Sequence, residues 1–265
     1  MQERDSTQQI LEETEKVVVN AGELIRHNWQ EPREIEHKGR IDLVTKTDVQ
    51  VEQALKDSLS KILPEADFWA EESASAAKDS NLIWIIDPLD GTTNFVHYLM
   101  HIAISVALWQ DEEVKLGIIY LPLTGEIFRA RARNGAYLNQ NPISVSPTSE
   151  LEEALIATGF PYNIREEANQ VVPNLQRVLL NSRGIRRLGA AAVDLAYTAC
   201  GRFDGFFEQG LKPWDTAAGW LLVKEAGGKI TQYAPSQKYS LQAPTILATN
   251  AKVHDSLGNL LKTAQ

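Results

Sequence analysis

Cysteine is nearly missing from this 265-residue chain: Cys200 stands alone, so no disulfide can close within it and a disulfide-stapled secreted fold is excluded. Long apolar runs are missing too, and none approaches the roughly 20 residues that a membrane helix needs. Basic residues are in deficit, with 26 Lys and Arg against 35 Asp and Glu and a formal net charge of −9. A broad nucleic-acid surface needs clustered cations to neutralise phosphates, and this balance argues against one. The start, Met1 to Glu15, has neither the basic flank and apolar stretch of a signal peptide nor the arginine richness of a transit peptide. These absences lead us to expect a cytoplasmic protein with no membrane partner. What is present, 43% hydrophobic and 23% charged residues, is the balance of an ordinary folded enzyme-sized body.

Periodicity predicts a first helix over Gln9 to Trp29, with Ile10, Val17, Ala21, Leu24 and Ile25 near helical spacing. A second is predicted to start at Thr47, where Thr47 and Gln50 make a capping-box pattern before Val51, Ala54, Leu55, Leu59 and Ile62, and to end at Pro64. Strand signals follow over Leu82 to Ile86, Ile102 to Trp109, Val114 to Leu121 and Glu126 to Ala132, the pattern of an antiparallel meander. Further on we expect a helix from Ala190 to Cys200, an aromatic strand from Phe203 to Glu208, a helix from about Asp215 to Ala226, a strand through Ile230, another over Thr245 to Thr249, and a terminal helix. No repeat or flexible linker marks a hinge. The expectation is one α+β unit over 1–265, with two lobes at about 1–145 and 146–265 sharing a core.

The most informative segment is Ile85-Ile86-Asp87-Pro88-Leu89-Asp90-Gly91-Thr92-Thr93-Asn94-Phe95. An apolar strand delivers two carboxylates, then a glycine and two hydroxyls that open a helix. Two like charges about 4 Å apart repel by roughly 4 kcal/mol at an effective dielectric near 20, so ionising both calls for a cation between them. Hard cations such as magnesium take oxygen ligands of this kind. Gly91 lets the backbone approach a phosphate, and helix-start amides point at it. The same residues also make a common surface turn. Glu71-Glu72-Ser73 and Trp214-Asp215 add acids; taken alone, the first reads better as a solvated loop and the second as a helix cap. Together they supply the several oxygens of a multi-metal site.

At these residues the chain resembles the inositol monophosphatase family, through Asp42-Leu-Val-Thr-Lys-Thr-Asp48, Glu71-Glu72-Ser73, Asp87-Pro-Leu-Asp-Gly-Thr-Thr-Asn-Phe95 and Trp214-Asp215-Thr-Ala-Ala-Gly219, in the family's order. The resemblance implies a layered alpha-beta-alpha-beta-alpha sandwich, assembled as a homodimer, that uses Mg2+ and is inhibited by lithium. It assigns Glu71, Asp87, Asp90 and Asp215 as metal-binding side chains, with the Leu89 carbonyl as a further ligand. Gly91 and Thr92 would hold phosphate through backbone amides, with Asp90 beside it, and Asp48 with Thr92 would orient and deprotonate the attacking water, Glu71 completing the catalytic set. Glu208 would accept hydrogen bonds from substrate hydroxyls in a pocket lined by Gly189 and Ala191.

Three positions depart from the pattern: Ala70 replaces a usual Gly, Ala190 a usual Ser or Thr, and Tyr98-Leu99-Met100 a Gly-x-Pro turn. The last two bear on the pocket's shape. The implied reaction is hydrolysis of inositol 1-phosphate or another small polyol phosphate by direct attack of water, without a phosphoenzyme. The alternatives are fructose 1,6-bisphosphate, a nucleotide 3'-phosphate or histidinol phosphate as substrate, or a regulatory protein that contacts transcription machinery or RNA.

Overall fold

The computed structural model describes residues 2–31, 35–37, 43–73 and 80–261, and of 2–6, 35–37 and 43 the backbone alone. Asp42 of the first matching motif lies outside the described residues. The chain opens with α1 (Gln2–Asn28), the short hairpin β1 (Ile35–His37) and β2 (Leu43–Thr45), and α2 (Lys46–Ile62). β3 (Asp67–Ala70), β4 (Leu82–Asp90), α3 (Thr92–Val96), β5 (Ala103–Gln110), β6 (Glu113–Leu121), β7 (Glu126–Arg131), β8 (Ala136–Leu138) and β9 (Asn141–Ile143) complete the first half. The second half comprises β10 (Leu155–Thr158), α4 (Ile164–Asn181), β11 (Gly184–Arg186), α5 (Ala191–Ala199), β12 (Gly205–Gln209), α6 (Pro213–Glu225), β13 (Lys229–Thr231), β14 (Thr245–Thr249) and α7 (His254–Leu260).

Burial sorts these elements into layers. In α1, Leu11, Val18, Ala21 and Ile25 form one buried stripe, and in α2 Val51, Leu55 and Leu59 form another. Both stripes pack on one face of a seven-stranded sheet of order β3-β4-β5-β6-β7-β8-β9, against Trp84, Ile86, Ile104, Val106 and Ile118. The alternating residues Ile83, Ile85, Ala107 and Ile119 face the other way, onto the apolar helices α5 and α6. Those helices also cover a five-stranded sheet of order β11-β10-β12-β14-β13, through Ala157, Phe206, Ile246 and Ala248. Its outer face, with Ile156, Phe207 and Leu247, packs with Val178 of α4 and Leu257 of α7. The result is the expected α+β sandwich, alpha-beta-alpha-beta-alpha. No helix among the described residues is long and apolar enough to cross a membrane.

Several boundaries differ from the sequence reading. α2 is capped by Thr45, not Thr47: the Thr45 side chain accepts the Thr47 N–H while Asp48 accepts the Thr45 N–H, so the capping box lies two residues earlier. α6 begins at Pro213, which makes Asp215 its third residue rather than its first. Cys200 ends α5 as a half-buried cap residue. α4 carries no sequence expectation because Pro173 interrupts its periodicity, yet it forms, burying Val171, Asn174 and Val178.

α5 and α6 pack closely because Gly219 has no side chain. A Cβ there would stand 2.5 Å from the Leu195 Cβ. Gly219→Val should therefore force the central layer apart and cost about 1–3 kcal/mol. Urea unfolding checks this, and an unchanged midpoint would mean that the two helices separate freely.

Candidate active site

The site grows from the end of β4. Pro88 has no N–H to give to β5, and the ladder slips there: Asp87 pairs with Ser105 and Asp90 with Ala103, leaving two residues opposite one. This bulge turns the Leu89 amide to the Asp87 carboxylate, at 3.0 Å, and buries the Leu89 side chain in the core. Gly91 then takes φ 89°, and a Cβ would meet the His101 carbonyl at 2.8 Å, so glycine is required by both backbone and space. The chain turns at once into α3.

Thr92 opens α3 with its hydroxyl 2.8 Å from Asp48 and 3.1 Å from the Leu89 carbonyl. One hydroxyl proton serves one acceptor at a time, and the nearer carboxylate is the stronger. Asp48 also accepts from the Thr45 N–H and the Thr45 hydroxyl, at 2.8 and 2.5 Å. Burial raises its carboxyl above the ordinary range, and these hydrogen bonds pull in the opposite direction. Asp48 and Thr92, 44 residues apart, thus meet as the motifs implied.

Four further acids share one field. Burial pushes Asp87 well above the usual carboxylate range, and Glu71, Asp90 and Asp215 push it further. Asp90 rises to about 7, first through burial and then through Glu71, while amides of Ala191, Ala192 and Val193 oppose the rise. Asp215 accepts the Lys212 N–H at 2.7 Å, capping its own helix with one oxygen. These carboxylates and the Leu89 carbonyl form an all-oxygen donor set of the kind that hard divalent cations take, and their mutual repulsion is what a cation relieves. Among the described residues no three acids, histidines or cysteines stand close enough together to form a metal shell.

Glu208, near the end of β12, lies against Gly159, where a Cβ would fall 2.1 Å from its carboxylate oxygen. Burial raises it to about 8, Asp215 and Asp90 adding to the rise and Arg187 opposing it. Gly189, at φ 87°, leads through Ala190 to Ala191 at the start of α5. A cavity of about 390 Å³ lies at the other end of the first sheet, lined by Lys115, Arg131 and Arg133 among others, and contains none of the candidate residues.

Two contacts escaped the sequence reading. Ala190 gives α5 no side-chain cap; Asp90 supplies it from 102 residues away, accepting the Ala192 N–H at 2.7 Å. Asn94 donates to the carbonyls of His101 and Leu188, both at 2.8 Å, and so fastens the Gly189 segment to α3. Asn94 sat inside the quoted motif; nothing near Ala190 pointed to Asp90.

The layered sandwich thus sets a cluster of acids beside a threonine–carboxylate pair. The inositol monophosphatase family model matches residues 6–265, and the chain belongs to that family. It is 40% identical over 253 residues to an inositol-1-monophosphatase of Synechocystis, covering 95% of this chain and 88% of that protein. It is 39% identical over 236 residues to the Nus factor SuhB of Escherichia coli, covering 88% of each. A solved inositol monophosphatase from Anabaena (Nostoc) superposes with a TM-score of 0.87 at 36% identity, over 96% of this chain and 95% of that one. The protein is accordingly a phosphoric monoester hydrolase by family.

The raised Glu208 carboxyl has a consequence for stability. Folded, it keeps its proton up to about pH 8; unfolded, it loses it near 4.5, so its stabilising protonation is present at low pH and lost as pH rises through 8. Without metal, Glu208→Gln should raise stability by about 1–3 kcal/mol at pH 9 and leave it unchanged at pH 4. Denaturant midpoints at the two pH values measure this, and equal shifts at both would show that the carboxyl is not held neutral.

Proposed function

We propose that the chain is a magnesium-dependent phosphatase of a small polyol phosphate, inositol 1-phosphate first among them. The observation that carries this reading is the convergence of four acids, Glu71, Asp90 and Asp215 each raising the buried Asp87 carboxyl. These side chains and the Leu89 carbonyl would hold Mg2+. When bound, the metal lowers the pKa of a water and neutralises charge on the phosphate. Thr92 takes a proton from the attacking water as it gives its own to Asp48, to which it is already hydrogen-bonded. Backbone amides of Gly91 and Thr92 hold the phosphate, with Asp90 beside them. Glu208 accepts hydrogen bonds from the polyol hydroxyls, and Gly189 and Ala191 leave room for the ring. Residues 1–265 act as one catalytic unit, in the cytoplasm and as a homodimer.

A second reading, partner binding in transcription, draws on the similarity to a Nus factor. The net charge of −9 disfavours RNA as that partner.

Phosphate release from inositol, fructose, nucleotide and histidinol phosphates, with and without magnesium, tests the function. Release should be fastest from inositol 1-phosphate, require magnesium and fall when lithium is added; full activity after exhaustive chelation would sink the metal reading.

For the proton path, Asp48→Asn and Thr92→Ala should each lower turnover by about a hundredfold or more, with KM little changed. The double variant should be scarcely slower than either single one, because the two residues act as a unit. Losses that multiply would mean two independent roles.

A further inference from the structure

Helix α2 carries more than Asp48 toward the site. Asp48, Glu52 and Lys56 follow at four-residue spacing and share one face. Glu52 is 5% exposed, and a carboxylate so placed must be partnered. One oxygen meets the Lys56 ammonium at 3.1 Å, and the other accepts the backbone N–H of Glu72 at 2.8 Å. Lys56 also donates to the Ser73 hydroxyl at 2.5 Å, while its ammonium lies 5.8 Å from the Phe68 ring centre. One residue earlier, the Glu71 N–H donates to the Ile86 carbonyl at 3.2 Å, extending the β3–β4 ladder by a step. Residues 71, 72 and 73 are therefore each tied down, the first to the residue before Asp87 and the next two to α2.

We propose that Glu52, assisted by Lys56, is a positioning residue that holds the Glu71 carboxylate in the metal pocket; this rests on the magnesium reading above. Glu71 acts on both Asp87 and Asp90 from a short turn beyond an edge strand. Its side chain can serve a cation only where its backbone is held, and Glu52 holds the backbone on the far side of Glu71 from the ladder. The same face of the same helix sets Asp48 against Thr92. One rigid element thus fixes the spacing between the proton acceptor and the Glu71 ligand.

Outer partners of metal ligands typically contribute 10–100-fold in affinity. In the full chain, with magnesium chloride as the probe, Glu52→Ala should raise the half-saturating magnesium concentration about tenfold or more. Turnover at saturating magnesium should fall less than about threefold, since the reacting groups stay in place. Two readouts are used: phosphate release, and tryptophan fluorescence without substrate, since Trp69 and Trp214 flank Glu71 and Asp215 with ring centres 6.4 Å apart. Glu52→Gln, whose side-chain carbonyl still accepts the Glu72 N–H, should recover most of the loss. Lys56→Met should shift both readouts in the same direction by a smaller factor, and it decides the matter if Glu52→Ala does not fold. Wild-type half-saturation in the folded variants, or a loss of turnover at saturating magnesium without a shift, would overturn the positioning role alone. A wild-type protein with no magnesium response in either readout would overturn the magnesium reading and this inference together.

Discussion

Repulsion among converging carboxylates, two of them buried, is the constraint around which this molecule is organised. Asp87 lies in the field of Glu71, Asp90 and Asp215, four acids drawn from different parts of the fold. Each is fastened by a different element. The bulge at Pro88 sets Asp87, the α5 amides hold Asp90, the first turn of α6 holds Asp215, and the end of β3 carries Glu71. A single flexible loop bearing four acids would relax by letting them point to water. Four separate anchors prevent that, and their convergence requires both the first sheet and the helix layer shared with the second.

That shared layer explains why the site does not belong to either half of the chain. α6 packs its Ala217, Ala218 and Leu221 into the core that also holds Ile85 of β4 and Phe206 of β12. Gly117 of β6 lets α6 come close, since a Cβ there would stand 2.9 Å from the Ala218 backbone. The α6 start is further tied to the first sheet by the Ser105 hydroxyl, which donates to the Trp214 carbonyl at 3.2 Å. Asp215 thus reaches the first sheet's acids from the second half because α6 packs to near backbone contact with β6.

What could be read in the sequence was whatever is encoded locally. The run into Asp87-Pro-Leu-Asp-Gly announced a strand, two acids and a sharp turn, and the structure has all three. The meander after it followed from alternating apolar runs and punctuating turns, and β5, β6 and β7 match to within a residue or two. Local code also misled: Thr47 and Gln50 fit a capping box as well as Thr45 and Asp48 do, and only the hairpin before α2 decides between them. Glu52 looked like any charged position on a helix surface, because sequence spacing does not reveal which faces of a helix meet a loop twenty residues on. Pro173 hid α4, whose folding rests on tertiary burial of Val178 rather than on its own propensity.

Asp90 shows how a helix start can be capped from another element. With Ala190 at its N-cap, α5 has no side-chain cap of its own, and its first amides face an acid that the first sheet delivers. The arrangement couples two regions through one charge. An ionised Asp90 is the stronger acceptor for the amides of Ala191, Ala192 and Val193, whereas a protonated one gives up part of that hold. Burial and Glu71 raise its proton affinity, and the α5 amides lower it. Ala191 lies at that docking point, so the start of α5 and the end of β4 are held by the same group. A cap taken from the helix itself would have left the two independent.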